Sequence, residues 1–452
     1  MFALLFSPEE RGLLTEAHAH VTRSLHHKSA RPAPAWARDL VLYEIFVRAY
    51  SRQGTFAQVT AELPRLRELG VGAIWLMPIH PVGVRGRKGT YGSPYSVRDH
   101  LAVHPEFGSP EQFRKLVETA HDLEMRVLLD MVANHSANDH VEMARHPAWF
   151  RRTPDGRFTR RVPDWSDVTD FNYEHPELRR YMKDAFLYWV REFDVDGFRC
   201  DVAGMVPLDF WEELRATLDH VKSDLFLLAE ADHPEMHLNA FDATYDWDLY
   251  YKMLEVQAGH APAAELVEVA CTLERLYPKN ALRLRFAENH DLPRAVHRFG
   301  RDGFRPYVTL SFTLPGVPLL YNGQEIGARH LPSLFEQEPI AWEKPDAEVS
   351  AFYRKLVALR RQHPCLHGGD LLPVPSSRPK EVAAFARTLG EQTVLVVLNV
   401  AGTPADVELV PPPGLRGRKL TPLFGTAATD PVELASTNRF RLRAYETRVY
   451  GN

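Results

Sequence analysis

Four acidic residues stand where short apolar stretches of the sequence end: Asp130, Asp201, Glu230 and Asp291. Carboxyl groups held close together can divide a reaction between them, because one stays ionised to attack while another keeps a proton to donate. Arg199 lies two residues before Asp201, so on an extended strand both side chains point to the same side. We expect Arg199 to lower the pKa of Asp201 and so to favour its ionised form.

Glu230 stands in different surroundings. Residues 227–229, directly before it, are all apolar. An apolar approach and a neighbouring carboxylate both favour the protonated form, so we expect the pKa of Glu230 to be raised. Cys200, between Arg199 and Asp201, points to the opposite face of the strand. We expect it to pack in an apolar layer rather than to act as a nucleophile.

The stretches that end in these acids belong to a pattern that repeats along the chain. Eight short apolar runs alternate with segments of helical periodicity, such as residues 113–123 and 178–193. The alternation is typical of parallel strands joined by crossover helices, and eight repeats predict an α/β fold, the (β/α)8 or TIM barrel. Active sites of such barrels lie at the carboxyl ends of the strands. The runs cover residues 42–47, 73–78, 126–132, 195–202, 225–230, 241–246, 282–291 and 317–325.

Further segments surround the predicted barrel. A capping pattern at residues 7–10 predicts a helix that runs to about residue 28, where prolines follow. Residues 133–177, after the third strand, are too long for an ordinary loop and are predicted to form a small lobe over the barrel mouth. From residue 370 short strands and turns predict a C-terminal antiparallel β-sandwich domain. The predicted domains are residues 1–35, an N-terminal helical extension; 36–369, the barrel with its lobe; and 370–452, the β-domain, with strands at 382–389, 393–400, 405–410 and 440–450.

The composition excludes several classes of protein. The chain has 452 residues, of which 45% are hydrophobic and 25% charged, as in folded rather than disordered proteins. It carries 54 Lys and Arg against 59 Asp and Glu, and no basic cluster indicates binding to nucleic acid or to a membrane surface. No apolar run approaches the roughly 20 residues that span a bilayer. Three widely spaced cysteines and a start that lacks the features of a signal peptide predict a soluble, cytoplasmic protein.

Four sequence motifs occur in order at the ends of the predicted strands. They are DMVANHS at 130–136, GFRCDVA at 197–203, LLAEAD at 227–232 and FAENHD at 286–291. Through these motifs the chain resembles the alpha-amylase family of glycoside hydrolases over about residues 36–450.

The resemblance implies a role for each motif residue. Asp201 would be the nucleophile, Glu230 the acid and base, and Asp291 the residue that grips and distorts the sugar. Arg199 would hold Asp201 ionised, and Asp130 is expected to position Arg199 rather than to touch substrate. The implied substrate-binding residues are Arg199, Tyr95, which stacks on the sugar, and His135 and His290, which bind its hydroxyl groups. Tyr91, Trp149, Trp165 and Trp247 are either further sugar platforms or ordinary core and surface residues.

These roles predict a retaining α-glycosidase of the alpha-amylase type. Retention needs two carboxyl groups about 5–5.5 Å apart, and adjacent strands about 4.8 Å apart bring Asp201 and Glu230 into that range. The expected reaction is hydrolysis of α-glucosidic bonds in malto-oligosaccharides or other α-glucans through a covalent glycosyl-enzyme intermediate. A transglycosylase or trehalose-forming isomerase with the same intermediate stays open, as does a non-catalytic sugar-binding protein. The linkage, α-1,4 or α-1,6, endo or exo cleavage, and the oligomeric state are open as well.

No cofactor is expected, and calcium in particular is not. Many relatives carry Lys-His three and four residues after the nucleophile, where the His carbonyl binds calcium, but this chain has Gly204 and Met205. Others use an acidic loop after strand one, where residues 49–56 of this chain supply no carboxylate. Asn134, which matches a common calcium ligand, is therefore expected to be structural. The alternative is an unrelated calcium site at the lobe residues Asp164, Asp167 and Asp170.

Two groups of histidines are not expected to bind metal. HPEMH at 233–237 spaces two histidines four residues apart, but Pro234 opposes a helix through the segment. The histidines of the predicted N-terminal helix have no cysteine or carboxylate companions and are expected to form a solvated face. They are His18, His20, His26 and His27.

Overall fold

The computed structural model describes residues 24–425 and 430–452. Eight strands form a closed parallel barrel with the spatial order β1, β2, β3, β6, β7, β8, β9 and β10, which confirms the predicted (β/α)8 fold. Each of the eight apolar runs contains one barrel strand. The strands before residue 330 are β1 (Leu42–Ile45), β2 (Ala73–Leu76), β3 (Arg126–Met131), β4 (His135–Ala137), β5 (Val168–Asp170), β6 (Gly197–Cys200), β7 (Phe226–Ala229), β8 (Ala243–Tyr245), β9 (Leu282–Arg285) and β10 (Val317–Tyr321).

Side chains of the barrel strands alternate between two apolar layers. Trp75 and Leu228 belong to the cluster that fills the barrel interior. Leu129 and Cys200 belong to the larger cluster between the barrel and its helices, so Cys200 packs in the outer layer as predicted. Burial on both faces explains why most of these strands read as apolar runs. The exception is β9, where Arg283 and Arg285 are buried between leucines.

Helices connect the strands and cover the outside of the barrel. The helix at Pro110–Asp122 begins with a capping box, in which the Ser109 hydroxyl accepts from the Gln112 amide and the Gln112 side chain accepts from the Ser109 amide. The two helices predicted at 113–123 and 178–193 are confirmed. The α-helices of the described chain are Val47–Tyr50, Phe56–Leu69, Pro110–Asp122, Pro176–Phe193, Leu208–Asp219, Met236–Asn239, Trp247–Gln257, Glu265–Leu276, Ala295–Arg298, Phe304–Thr313, Ala347–Gln362 and Cys365–Gly368.

A lobe follows β3 at the mouth of the barrel. Its two short strands, β4 and β5, pair in antiparallel register with His135 opposite Asp170. The chain between them is irregular apart from a short 3-10 helix at Pro147–Trp149. The pairing returns the chain to the barrel mouth, so lobe residues from both strands lie beside the ends of β3 and β6.

The C-terminal part of the chain is antiparallel β-structure, as predicted. A six-stranded sheet has the order β11, β12, β13, β18, β15, β16, and β14 pairs with β17 in a second sheet. Apolar residues of both sheets, such as Val397 and Val407, form one buried cluster. The strands are β11 (Asp370–Pro373), β12 (Val382–Leu389), β13 (Gln392–Asn399), β14 (Ala405–Leu409), β15 (Lys419–Gly425), β16 (Val432–Glu433), β17 (Asn438–Leu442) and β18 (Thr447–Gly451).

One predicted strand of this domain was wrong. Residues 440–450 do not form a single strand but contribute to β17 and β18, which belong to different sheets. The chain turns between them because Tyr445 has a positive φ of 53° and the Glu446 carboxylate accepts a hydrogen bond from the Arg443 amide.

The predicted N-terminal helix lies mostly outside the described residues. Residues 24–28 are described and form a turn rather than a helix. His26 is exposed and its Nδ1 lies 2.9 Å from the Glu274 carbonyl oxygen, whereas His18 and His20 fall outside the described chain. Across residues 24–425 and 430–452, no helix combines the length and the apolarity needed to cross a membrane.

Candidate active site

Arg199, near the end of β6, brings three of the four predicted carboxyl groups together. Its Nη1 donates to Asp130 Oδ1 and to Asp201 Oδ1, both at 2.9 Å, and its Nη2 lies 2.7 Å from Glu230 Oε2. The strand register explains the meeting, because Asp130 lies opposite Arg199 and the residues before Asp201 and Glu230 lie opposite each other. The pairing of Arg199 with Glu230 was not predicted.

Asp130 is fully enclosed by protein donors. Its Oδ2 accepts from Trp75 Nε1 at 3.2 Å and from the Tyr95 hydroxyl at 3.1 Å, in addition to Arg199. Burial raises the pKa of Asp130 to about 7, although Arg199 opposes the shift. Asp130 therefore holds Arg199 and Tyr95 in place, which fits its expected positioning role.

The pKa values of Asp201 and Glu230 are both raised. Burial is the main cause for each group, and Arg199 partly offsets it. For Glu230 the upward direction agrees with the prediction. For Asp201, Arg199 lowers the pKa as predicted, but the net pKa shift is upward, because the cost of burying the carboxylate outweighs the attraction of Arg199. The Val202 amide donates to Glu230 Oε2 at 2.8 Å and ties the two strand ends together.

His290 forms a second centre of charge beside Asp291. Its Nε2 lies 3.2 Å from Asp291 Oδ2 and 2.8 Å from the Tyr95 hydroxyl, and its Nδ1 makes a short contact with Glu44 Oε1. Burial lowers the pKa of His290, but Asp291 and Glu44 outweigh it and raise that pKa to about 10. For Asp291, burial raises the pKa, but the His290 imidazolium outweighs burial and holds the pKa of Asp291 well below its usual value. His290 is therefore a cation at neutral pH.

The remaining predicted substrate-binding residues line the same cleft. His135 Nε2 lies 3.9 Å from Asp201 Oδ2, and burial lowers the pKa of His135 to about 4, so its ring is neutral. Tyr95 stacks on His290 with the ring centroids 5.4 Å apart. Six of the seven predicted catalytic and binding residues thus line one cleft at the carboxyl ends of the barrel strands, and the seventh, Arg199, is fully buried and contacts Asp201 and Glu230.

Of the four further aromatic candidates, Trp165 lines the cleft, with its ring centroid 5.0 Å from that of His135. Trp149 and Trp247 belong to apolar core clusters. Tyr91 packs beside the Arg48 guanidinium. The ordinary core and surface interpretation therefore holds for those three residues.

Several cleft residues had no signal in the sequence. Lys88 comes from the loop after β2, and Leu334 and Phe335 come from the segment after β10. Lys88 Nζ lies 3.1 Å from Asp167 Oδ1 of the lobe, which joins two sides of the cleft. Glu44 was also missed. Glu44 lies in β1 within an apolar run. The one signal in the sequence that could have found it is its charge, which is unusual in a strand that is buried along its whole length.

The positions that would bind calcium in relatives are taken by an arginine. Arg161 donates from Nε to Asp170 Oδ2 at 2.8 Å and from Nη1 to the Met205 carbonyl at 2.8 Å, and its Nη2 makes a short contact with Asn134 Oδ1. A divalent cation does not fit between these oxygens, because the guanidinium already fills the space and would repel it.

The other metal candidates are also paired within the protein. Asp167 faces Lys88 and Asp170 faces Arg161, so these lobe acids point to different cations. In the HPEMH segment, His237 is buried and its Nε2 lies 3.0 Å from the Thr244 hydroxyl.

The family model for the alpha-amylase catalytic domain matches residues 41–156 and 161–350. The chain belongs to the alpha-amylase family. This confirms the predicted family and the predicted class of enzyme, a glycoside hydrolase. The matched ranges contain every residue that lines the cleft described above.

Curated relatives within the alpha-amylase family cover most of this chain. Alpha-amylase MalA of Haloarcula japonica is 32% identical over 406 residues, which are 86% of this chain and 59% of MalA. The chain thus spans less than two thirds of the length of MalA. The maltogenic alpha-amylase of Bacillus acidopullulyticus is 28% identical over 418 residues, or 81% of this chain and 70% of that protein.

Solved structures of the family agree over nearly the whole chain. The noncanonic maltogenic alpha-amylase AmyB of Thermotoga neapolitana is 36% identical with a TM-score of 0.84 and covers 92% of this chain and 99% of its own. An alpha-amylase from Lactobacillus plantarum is 32% identical with a TM-score of 0.82 and the same coverage. The barrel with a C-terminal antiparallel domain is therefore shared with these alpha-amylases.

Proposed function

We propose that this alpha-amylase-family chain is a retaining hydrolase that cleaves α-glucosidic bonds of malto-oligosaccharides through a covalent glycosyl-enzyme intermediate. The observation that carries the proposal is the meeting of Asp201 and Glu230 at one guanidinium, that of Arg199, inside a cleft. A pair of carboxyl groups held this close suits double displacement, in which one attacks and the other transfers protons.

The oxygens of Asp201 have different partners, which suggests which one attacks. Oδ1 accepts from Arg199, whereas Oδ2 faces His135 and the cleft. In the first step Oδ2 bonds to the anomeric carbon, the glycosidic bond breaks, and Glu230 gives its proton to the departing oxygen. In the second step Glu230 takes a proton from water, the water oxygen bonds to the anomeric carbon, and the bond to Asp201 breaks. The raised pKa of Glu230 favours its protonated form, which is the proton donor in the first step.

The surrounding side chains suit a bound sugar. Asp291 and His290 present an ionised carboxylate and an imidazolium, which bind hydroxyl groups by charge-assisted hydrogen bonds. Tyr95 offers an aromatic face to the apolar side of a pyranose ring. The names of the relatives support an α-glucan substrate, since two of them are called maltogenic alpha-amylases.

Product analysis on maltose and maltoheptaose tests the proposal. Hydrolysis releases shorter sugars only, and we expect this result. Longer products would indicate a transglycosylase, and trehalose from maltose would indicate an isomerase with the same intermediate. No turnover of either sugar by the folded protein would favour the sugar-binding alternative.

We also propose that the protein works in the cytoplasm. Cys200, Cys271 and Cys365 are free thiols, and a Bacillus subtilis relative, 26% identical over 433 residues, is named an intracellular maltogenic amylase. A reducing compartment keeps such thiols unpaired. Activity and Tm should therefore be the same with and without dithiothreitol, and a loss in the reducing agent would contradict the proposal.

A further inference from the structure

Arg161 in the lobe joins three elements through the three nitrogens of its guanidinium. Nε and the backbone amide of Arg161 both donate to Asp170 Oδ2 of β5, at 2.8 and 3.0 Å. Nη1 donates to the carbonyl of Met205, four residues after Asp201, at 2.8 Å, and Nη2 contacts Asn134 Oδ1 in the link between β3 and β4. One cation therefore holds the lobe, the segment after β3 and the loop after β6 together.

The contact with Arg161 decides which way the Asn134 amide points. A guanidinium has donors only, so the Asn134 atom that faces it must be the carbonyl oxygen. The Asn134 Nδ2 group then faces Nδ1 of His135, at 3.0 Å. Because Nδ2 is a donor, the Nδ1 atom of His135 must accept.

The orientation of Asn134 in turn selects the tautomer of His135. A neutral imidazole carries one proton, and if Nδ1 accepts, the proton is on Nε2. Nε2 of the His135 ring lies 3.9 Å from Asp201 Oδ2, and His135 lines the cleft. We propose that Arg161 is a positioning residue that, through Asn134, keeps the proton of His135 on Nε2 as a donor toward the sugar and Asp201.

The surroundings of Asp170 show why the position needs a cation. Asp170 is 1% exposed, and its Oδ1 has no hydrogen-bond partner among residues 24–425 and 430–452. Arg161 is the ion-pair partner of the other oxygen, so removing its charge leaves a buried carboxylate unpaired next to His135 in the strand pairing. The inference rests on the proposed roles of Asp201 and His135, but the tautomer of His135 can be measured without turnover.

The experiment compares Arg161→Met, Arg161→Lys and Arg160→Met with the unchanged chain. Arg161→Met removes the hydrogen-bond donors and the positive charge, whereas Arg161→Lys keeps donors and charge on an ammonium group in place of the guanidinium. Arg160→Met is the matched control, because Arg160 is the adjacent arginine of the lobe and its Nε donates to the Pro163 carbonyl within the same loop. Nitrogen NMR of 15N-histidine-labelled protein reads the tautomer, with the His135 signals identified by their loss in His135→Asn.

We expect the unchanged chain, Arg160→Met and Arg161→Lys to show the proton of His135 on Nε2. In Arg161→Met we expect a mixture of tautomers and a fall in kcat of about 10–100-fold, with a much smaller change in KM. A single Nε2–H tautomer in Arg161→Met, or a kcat within about twofold of the unchanged chain, overturns the inference. If Arg161→Met does not fold, the unchanged chain decides, because a proton on Nδ1 of His135 there, or a mixture of tautomers, would also overturn the inference. Failure of the proposed function is separate and would appear as full turnover by Asp201→Asn.

Discussion

Two cations contact five carboxyl groups at the centre of the site, of which four are buried and one, that of Asp291, is partly exposed. Arg199 contacts Asp130, Asp201 and Glu230, and His290 contacts Glu44 and Asp291. A buried cluster with more acids than bases retains protons, because uncompensated charge is costly to bury. The raised pKa values within the Arg199 group follow from this imbalance, and they allow Glu230 to hold the proton that bond cleavage requires.

At the same scale, we expect Asp201→Asn and Glu230→Gln each to lower kcat by at least ~10³-fold, because each keeps the side-chain volume but removes the nucleophile or the proton donor. Turnover of maltoheptaose and thermal unfolding are measured for both variants. Asp209→Asn, at an exposed ion pair with Arg179, is the control and should keep full activity. Near-normal turnover by either site variant would refute the assignment.

The proximity of Asp201 and Glu230 predicts retention of the anomeric configuration. Proton NMR during the first minutes of maltoheptaose hydrolysis should show the α-anomer before mutarotation. Initial β-product would mean that water attacks directly and that Asp201 does not form a covalent intermediate.

Glu44 is expected to set the pH range in which His290 stays charged. His290 has an unfolded pKa of about 6.5 and a folded pKa of about 10, so its contribution to stability is fully present below pH 6.5 and is lost as the pH rises toward 10. Glu44→Gln removes one of the two carboxylates that raise this pKa. We therefore expect the Tm difference between the unchanged chain and Glu44→Gln to narrow from about pH 7 to 10.

Thermal unfolding at several pH values between these limits measures the effect of Glu44→Gln. Glu62→Gln serves as the control, since Glu62 is half-exposed and pairs with Arg65 on a helix surface. A Tm difference that is constant with pH would show that Glu44 does not act through the charge of His290.

At the scale of elements, three segments meet over the cleft. The Thr90 amide donates to Glu336 Oε1 at 2.9 Å and the Tyr91 amide to the Phe335 carbonyl at 3.0 Å, which joins the loop after β2 to the segment after β10. Lys88 joins the same loop to Asp167 of the lobe. The walls of the cleft are therefore tied to one another as well as to the barrel.

The lobe is expected to contribute to substrate binding through Trp165. Trp165→Ala removes an aromatic face beside His135, and we expect KM for maltoheptaose to rise about tenfold with a smaller change in kcat. Trp165→Phe keeps an aromatic face and should recover most of the affinity. Unchanged KM in Trp165→Ala would assign Trp165 to packing of the lobe alone.

At the scale of the whole molecule, charged side chains fasten the barrel to its additions. Arg387 of β12 is buried and donates to the Thr313 carbonyl at 2.8 Å, at the end of a barrel helix. Arg161 plays the corresponding part between the lobe and the barrel. Fixed side-chain cations thus hold the junctions, and such a cation is lost neither to dilution nor to a chelator.

We therefore expect activity and stability to be independent of calcium. Calcium needs six to eight oxygen ligands, but Arg161 fills the position beside Asn134, and residues 49–56 supply no carboxylate. Dialysis against EDTA should leave Tm and the rate on maltoheptaose unchanged. A loss of either that calcium restores would reveal a calcium site elsewhere in the chain.

The barrel and the residues that meet at its mouth follow from the order of the apolar runs and of the motifs that end them. The chain order of eight apolar runs dictates the order of parallel strands, and residues that end such strands share one rim, so Asp201, Glu230 and Asp291 could be placed together. The antiparallel C-terminal domain was likewise readable from short strands without helical spacing. The turn at Tyr445, which divides residues 440–450 into two strands, could not be predicted in this way. Its position depends on which sheet each half of the segment joins.

The pairing of the charged groups at that rim depends on how the whole chain packs, and local sequence does not reveal it. Glu44 and His290 are 246 residues apart, and their contact depends on the closure of the barrel, which pairs β1 with β10 and so brings β1 near the segment that follows β9. The net pKa shift of Asp201 depends on how completely the cleft excludes water, which outweighed the neighbour that local spacing revealed. Arg161 reaches Asn134 only because the lobe folds back over β3. Local spacing specifies which side chains leave a strand together, whereas burial and contacts across the barrel follow from the packing of the whole chain.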